Sequence, residues 1–338
     1  MKKTILYIFL ILAFILTSCS APPDDLPVQT TASSKAAVID SAETSEPEKT
    51  SQAEIEIEID FETEAGFMDV FVFATGKSDA ILITTENHAV LIDTGENKNG
   101  PAIADYLINR GIDEIDYLII THFHKDHIGG ADTIIKNFGV KKVIVPNYGK
   151  QSKQYSQFVS AMLKMKLESD ILTETMEFTL DNTEFTLYPP LLEYYDYNSL
   201  GDENDENDDT ESDIPNENDF SIVVRAEHGE NNFLFAADAA KGRLGELMAN
   251  EDIMAVKYDF LKVPYHGRYS KRSLEFIDAV KPKYAVITCS ADSGDKSGDQ
   301  RVISALEKNG AEVYLTPNGG VYCVSNGYAT SMIQPFGF

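Results

Sequence analysis

From Gly66 onward, apolar positions alternate with polar ones or gather in short blocks bounded by turn residues. Met68 to Ala74, Asp79 to Thr84 and His88 to Ile92 read as three strands, separated by the turns Gly76-Lys77-Ser78 and Thr85-Glu86-Asn87. The pattern then switches to a helical period: a helix opens at Pro101, a residue suited to a first helical position, and stops at Gly111. Asp116 to Ile120 and Lys142 to Val145 read as strands, with helices over Gly130 to Phe138 and Tyr155 to Leu167. Further strands are predicted at 177–180, 184–188, 221–226, 232–235, 260–263, 284–288, 312–315 and 320–324, and helices at 241–249, 270–280 and 300–309. Strand meanders with interspersed helices predict stacked sheets covered by helices.

The pattern is absent before Gly66. Lys2 and Lys3 precede an apolar run from Ile5 to Leu16, the length of a signal segment and short for a membrane span. Leu16-Thr17-Ser18-Cys19 follows and resembles a bacterial lipoprotein signal, which implies lipidation of Cys19 and anchoring on the outer face of the cell membrane. Residues 20–65 are rich in Ser, Thr, Ala, Pro and Glu and read as a disordered tether. The alternation of Ile and Glu over 55–59 is compatible with an edge strand. The folded domain is assigned to 66–338.

Charge sharpens this division. The 338 residues carry a formal net charge of −27. Residues 1–66 hold 12 acids and 4 bases, and Gly201 to Asp219 holds 10 acids and no base, so the remainder carries a net of −9. Such a balance opposes a generic nucleic-acid binder, which needs a basic footprint. The stretch 201–219 reads as a solvated surface loop. Three Cys exclude a disulfide-rich scaffold; Cys289 and Cys323 sit in apolar strands, as buried thiols or as a pair that sequence alone does not decide.

The strongest chemical signal is Thr121-His122-Phe123-His124-Lys125-Asp126-His127-Ile128-Gly129-Gly130, between a strand and a helix. Three of the chain's six His fall here beside an Asp. Imidazole and carboxylate suit divalent transition metals. Alternating His122 and His124 can reach one ion, and Asp126 with His127 a second.

This block resembles the signature of the metallo-β-lactamase superfamily. Leu91-Ile92-Asp93-Thr94-Gly95, Phe233-Leu234-Phe235-Ala236-Ala237-Asp238 and Leu261-Lys262-Val263-Pro264-Tyr265-His266-Gly267 match its further motifs in order. The resemblance implies an α+β, four-layer αββα sandwich with a metal site at one edge of two sheets. It implies two divalent ions, Zn²⁺ or alternatively Mn²⁺, held by His122, His124, Asp126, His127, Asp238 and His266, with a bridging hydroxide as nucleophile. Asp126 and Asp93 take the catalytic assignment, Asp93 by fixing imidazole tautomers. Asp69 to Ile83, 218–224 and the segment after Phe260 resemble the hydrolase domain of ComEC/Rec2 competence proteins, which implies phosphodiester cleavage.

Three departures follow from the same comparison. A third His for the first ion is lacking; Asn218 or Asp219 lies where a replacement ligand would fall, and His228 reads as a surface turn residue. Tyr265 stands where the subgroup often has His, and it either contacts substrate or packs. Lys262, with Arg268, Lys271 and Arg272, offers either a substrate-binding basic patch or a solvent face. The resulting expectation is a monomeric, lipid-anchored phosphodiesterase acting on a small-molecule or polymeric phosphodiester, with DNA disfavoured by charge. The alternatives are a non-catalytic metal-containing binding lipoprotein and a hydrolase of an ester or lactam.

Overall fold

The computed structural model describes residues 65–191, 217–291 and 298–335. The predicted signal peptide with Cys19, the tether up to residue 64 and most of the acidic stretch lie outside the described residues. Among those described, the chain opens with strands β1 (Met68–Val72), β2 (Ile81–Thr84) and β3 (Ala89–Ile92). Helix α1 (Gly100–Asn109), β4 (Glu114–Ile119), α2 (Lys125–Ile128), α3 (Ala131–Asn137), β5 (Gly139–Pro146), α4 (Lys153–Met165) and β6 (Ser169–Leu172) follow. Next come β7 (Met176–Leu180), β8 (Thr183–Tyr188), β9 (Val223–His228), β10 (Asn231–Phe235), α5 (Lys241–Ala249), α6 (Glu251–Met254) and β11 (Phe260–Lys262). The chain closes with α7 (Ser273–Val280), β12 (Tyr284–Ile287), α8 (Gln300–Lys308), β13 (Glu312–Leu315), β14 (Val321–Ser325) and β15 (Thr330–Ile333).

These strands form two sheets, ordered β15-β14-β1-β2-β3-β4-β5-β6 and β13-β12-β11-β10-β9-β8-β7. Each is half meander and half parallel. Strands β15 to β3 of the first sheet and β7 to β10 of the second pair antiparallel. Strands β3 to β6 and β10 to β13 pair parallel. A parallel pair needs a crossover, and helices supply each one here: α1, then α2 with α3, then α4 in the first sheet, and α5 with α6, then α7, then α8 in the second.

Three apolar layers make four structural ones. Between the sheets lie Val70, Ile83, Ile92, Phe185, Phe233 and Phe260. Leu107, Ile134 and Phe158 of the first helical layer pack on Leu118 and Val143. Leu244, Phe276 and Leu306 of the second pack on Leu234 and Ala285. The architecture is therefore the expected αββα sandwich. Strand β3 shows why its sequence has no polar positions: Val90 and Ile92 face the inter-sheet core, while Ala89 and Leu91 face the helices. Cys323 lies in the inter-sheet layer and Cys289 in the outer layer of the second sheet; both are buried free thiols.

Candidate metal centre

The sequence motifs meet at the carboxyl ends of parallel strands. Asp93 follows β3, Thr121 and His122 follow β4, Asp238 follows β10 and His266 follows β11. Asp126 and His127 lie on α2, a single turn within the His block, whose amide at 127 donates to His124 O. Several backbones here are left-handed without glycine: Asp93 at φ 58°, Ala237 at 49°, Tyr265 at 54° and His266 at 53°. Such conformations cost about 1–3 kcal/mol each and persist where surroundings enforce them. Backbone ties do so: Asp93 N donates to Ile119 O at 2.9 Å, Thr94 N to His127 O at 2.8 Å and Tyr265 N to Ala237 O at 3.1 Å.

The hydrogen-bond network assigns the imidazole tautomers. The Thr121 hydroxyl donates to Asp93 Oδ2 at 2.7 Å, so its oxygen accepts from His122 Nδ1 at 3.1 Å. His127 Nδ1 donates to the same Asp93 oxygen at 2.7 Å. The Thr288 hydroxyl donates to Asp79 Oδ1 at 2.6 Å and accepts from His266 Nδ1 at 3.0 Å. Each of these three rings thereby turns Nε2 toward a common centre. His124 is reversed: its Nε2 lies 3.1 Å from Glu217 Oε2, and its Nδ1 faces His122 Nε2 at 3.1 Å.

At that centre sits Asp238. Its Oδ2 lies 3.1 Å from His266 Nε2, 3.3 Å from His127 Nε2 and 4.0 Å from His122 Nε2. Asp126 Oδ2 is 3.6 Å from His266 Nε2. Three overlapping ligand groups result, His122 with His124 and Asp238, Asp126 with His127 and His266, and Asp79 with His127 and Asp238, each with ligand atoms within 4.8 Å of one another. His127 Nε2, His266 Nε2 and Asp238 Oδ1 are buried with no hydrogen-bond partner. Converging buried imidazole nitrogens and carboxylate oxygens of this kind fit divalent cations. The donor set of imidazole and carboxylate suits zinc or manganese.

Charge at the centre is balanced by a further residue pair. Lys262 is fully buried; its ammonium contacts Asp79, donates to Ala237 O at 2.7 Å and lies 3.6 Å from Asp238 Oδ1. Burial opposes ionisation of Asp79, but Lys262, His266 and His127 outweigh it and hold the carboxyl at about 2. Burial likewise opposes charge on His266, yet Asp238 and Asp79 raise it to about 9. His127 rises for the same reason, against its burial, through Asp238 and Asp93. Burial and the neighbouring imidazoles hold His122 well below the usual histidine range.

The structure corrects several expectations. Lys262 is not part of a surface basic patch: it is fully buried between Asp79 and Asp238. Lys262 is thereby separated from Arg268, Lys271 and Arg272, which lie at the surface, with the Arg272 guanidinium beside Gly245. The Tyr265 hydroxyl accepts from Arg268 Nη1 at 3.0 Å, and the guanidinium lies over its ring. Asp93, assigned from the sequence to fix imidazole tautomers, is sealed from solvent and accepts from Thr121 and His127. Asp219 Oδ1 accepts from the Arg243 amide at 2.9 Å at the start of α5, and Asn218 is buried in the same 3₁₀ turn, Glu217–Phe220. Asp219 therefore caps a helix instead of replacing a ligand. His228 is neither a ligand nor a surface residue: it ends β9, buried, with Nδ1 at 2.8 Å from Ser325 Oγ and Nε2 at 3.0 Å from Ala65 O.

Two residues of the centre carry no motif that sequence reading could assign a role. Asp79 was visible only as part of the opening strand-turn resemblance. Glu217 hides in an acidic run, where one more carboxylate gives no signal.

A family model described as "Metallo-beta-lactamase superfamily" matches residues 74–290. ComE operon protein 3 of Bacillus subtilis is 23% identical over 288 residues, covering 80% of this chain and 34% of that protein. Recombination protein 2 of Haemophilus influenzae is 26% identical over 221 residues, covering 63% of this chain and 23% of that protein. The chain thus spans about a third of the length of the first of these relatives and less of the second. The crystal structure of the metallo-beta-lactamase fold protein YhfI from Bacillus subtilis superposes with a TM-score of 0.45 at 12% identity, covering 73% of this chain and 96% of that one. The motifs, the sandwich and the family match agree on one identity: the chain belongs to the metallo-beta-lactamase superfamily.

Proposed function

We propose that the protein is a metal-dependent phosphodiesterase. The observation that carries this reading is the placing of Asp238 Oδ2 within 3.1–4.0 Å of His266, His127 and His122, where one carboxylate oxygen serves two ligand groups. Paired ions suit in-line displacement at phosphorus, and when bound they activate water at neutral pH and offset charge developing on the scissile group. The chain's own part is positional. Asp93 and Thr288 hold imidazole protons away from the centre, Lys262 keeps Asp79 and Asp238 ionised, and Asp126 Oδ2 orients the attacking water. The Lys77 ammonium, 3.7 Å from Asp126 Oδ2 and a quarter exposed, stands ready for a non-bridging phosphate oxygen. The resemblance of 69–83, 218–224 and the segment after Phe260 to ComEC/Rec2 hydrolase domains supports a phosphodiester over a lactam. The acidic balance favours a small or surface phosphodiester over DNA. We read the protein as a zinc-loaded monomer held outside the cell membrane through Cys19. Among the described residues no helix is long and apolar enough to cross a membrane.

The test is elemental analysis of the full chain, purified without chelator, beside hydrolysis of bis-p-nitrophenyl phosphate. Close to two metals per chain, and turnover lost by two orders of magnitude or more in His124→Ala, are expected. Two metals with hydrolysis of esters or lactams alone would redirect the substrate. No turnover of any class would leave a binding protein.

A further inference from the structure

We infer that Glu217 is the positioning residue for His124: its carboxylate fixes which ring nitrogen of His124 is presented to a metal ion. The inference rests on the metal-centre reading above.

The imidazoles differ in how they are held. His122, His127 and His266 are enclosed, and each has its outward nitrogen bound to Thr121, Asp93 or Thr288. His124 is the exposed member, its side chain 28% accessible, so water competes for its nitrogens. Against it stands Glu217, mostly buried, with Oε2 at 3.1 Å from His124 Nε2. A proton on Nε2 satisfies that carboxylate and leaves the Nδ1 lone pair beside His122 Nε2, within the first ligand group. A carboxylate behind a ligating imidazole fixes its tautomer, steadies its plane and makes it a stronger donor.

Glu217 is itself held by two further side chains. Lys150 Nζ donates to Oε2 at 2.6 Å. The Tyr148 hydroxyl donates to Oε1 at 2.8 Å and accepts from Phe123 N at 2.7 Å. Phe123 lies between His122 and His124, so the network grips the loop that it serves. Asp219, two residues on, caps α5 and fixes the turn. The carboxylate thus arrives from a rigid element despite following the acidic stretch. Lys150 shares the oxygen that faces His124 and draws charge from it, so the two neighbours act in opposite senses on the ring.

The experiment compares the wild-type full chain in detergent with Glu217→Gln and Lys150→Met. Chelator-treated samples give the histidine tautomers by two-bond ¹⁵N–¹H spectra, and Co²⁺ titration followed by absorbance gives the affinity of each site. In the wild type, His124 is expected as the Nε2–H tautomer. In Glu217→Gln it becomes a mixture, and one of the two cobalt affinities falls about 10–100-fold while the other holds. Lys150→Met leaves both affinities as tight or tighter. An unchanged His124 tautomer with both affinities unchanged in Glu217→Gln overturns the inference, as does an equal loss at both sites in Lys150→Met. If Glu217→Gln fails to fold, Lys150→Met and the wild-type tautomer decide. A wild type that takes up no cobalt defeats the metal-centre reading itself, while the tautomer spectrum still reports on Glu217.

Discussion

Thr288 and Asp79 share a hydrogen bond of 2.6 Å that joins the end of β12 in one sheet to the turn before β2 in the other. Asp79 also takes the charge of the buried Lys262. One carboxylate therefore ties both sheets together at the candidate metal centre, beside His266.

Asp79→Asn leaves the Lys262 ammonium enclosed with only Asp238, 3.6 Å away, as counter-charge. Removing one member of a buried ion pair costs about 3–5 kcal/mol. Urea unfolding of the metal-free variant is expected to show a loss of about 3 kcal/mol. A midpoint equal to that of wild type would mean the pair contributes little.

Metal removal should make stability depend on alkaline pH. His266, at about 9 in the metal-free protein, lies above the ordinary histidine value near 6.5. A group raised on folding stabilises fully below its unfolded pKa, and that stabilisation disappears as pH rises through the folded one. Chelator-treated protein should therefore lose stability between pH 6.5 and 9, a window set by those two values. In the same window metal affinity should rise and uptake should release protons. Asp79 and Glu217, each held at about 2, add the opposite trend, present above ordinary carboxylate values and lost in acid. Thermal melts across pH, with and without zinc, and calorimetry in buffers of different ionisation enthalpy check both slopes.

Gly130→Ala should fail sterically. A Cβ at Gly130 would sit 2.4 Å from Thr94 O and 2.9 Å from the Gly100 Cα. The conflict is with backbone on both sides, so no side chain can yield to it. It would push the Asp93 loop away from the His block. Soluble yield and melting temperature should both fall, and zinc stoichiometry should fall with them. Gly111→Ala, with open space around the position but φ at +70°, tests ordinary backbone strain as a milder comparison.

Cys289 and Cys323 should react with Ellman's reagent only after unfolding. They occupy different apolar layers. Burial raises both thiols, Cys323 to about 12, so neither offers thiolate at neutral pH. Detection of a Cys289–Cys323 disulfide by mass spectrometry would contradict this arrangement.

The αββα architecture was legible in the sequence because its strands carry long apolar runs and its motifs stand at strand ends. Strands β6 and β15 and helices α2 and α6 escaped that reading. Each spans four residues with at most two apolar ones, whereas β2 and β3, equally short, carry three and four. Helix α2 was further masked because ligand-bearing side chains, not an amphipathic stripe, fill it. The ladder places His228 and Asn231 opposite each other at the hairpin end, so a residue read as turn is strand and buried.

Local composition by itself determined the ligand types: His122, His124, Asp126 and His127 fall within one short loop, and spacing alone brings them together. Only the tertiary structure decided what surrounds them. Asp79, Thr288, Lys262 and Glu217 come from separate strands and turns, and their meeting depends on two sheets being stacked and registered. A buried lysine and an exposed one look alike in sequence, because desolvation is a property of the packed environment. So are tautomers, which depend on where the neighbouring protons point. The chain encodes the candidate ligands of the His block locally, and only the fold brings Asp238, His266 and the orienting partners to them.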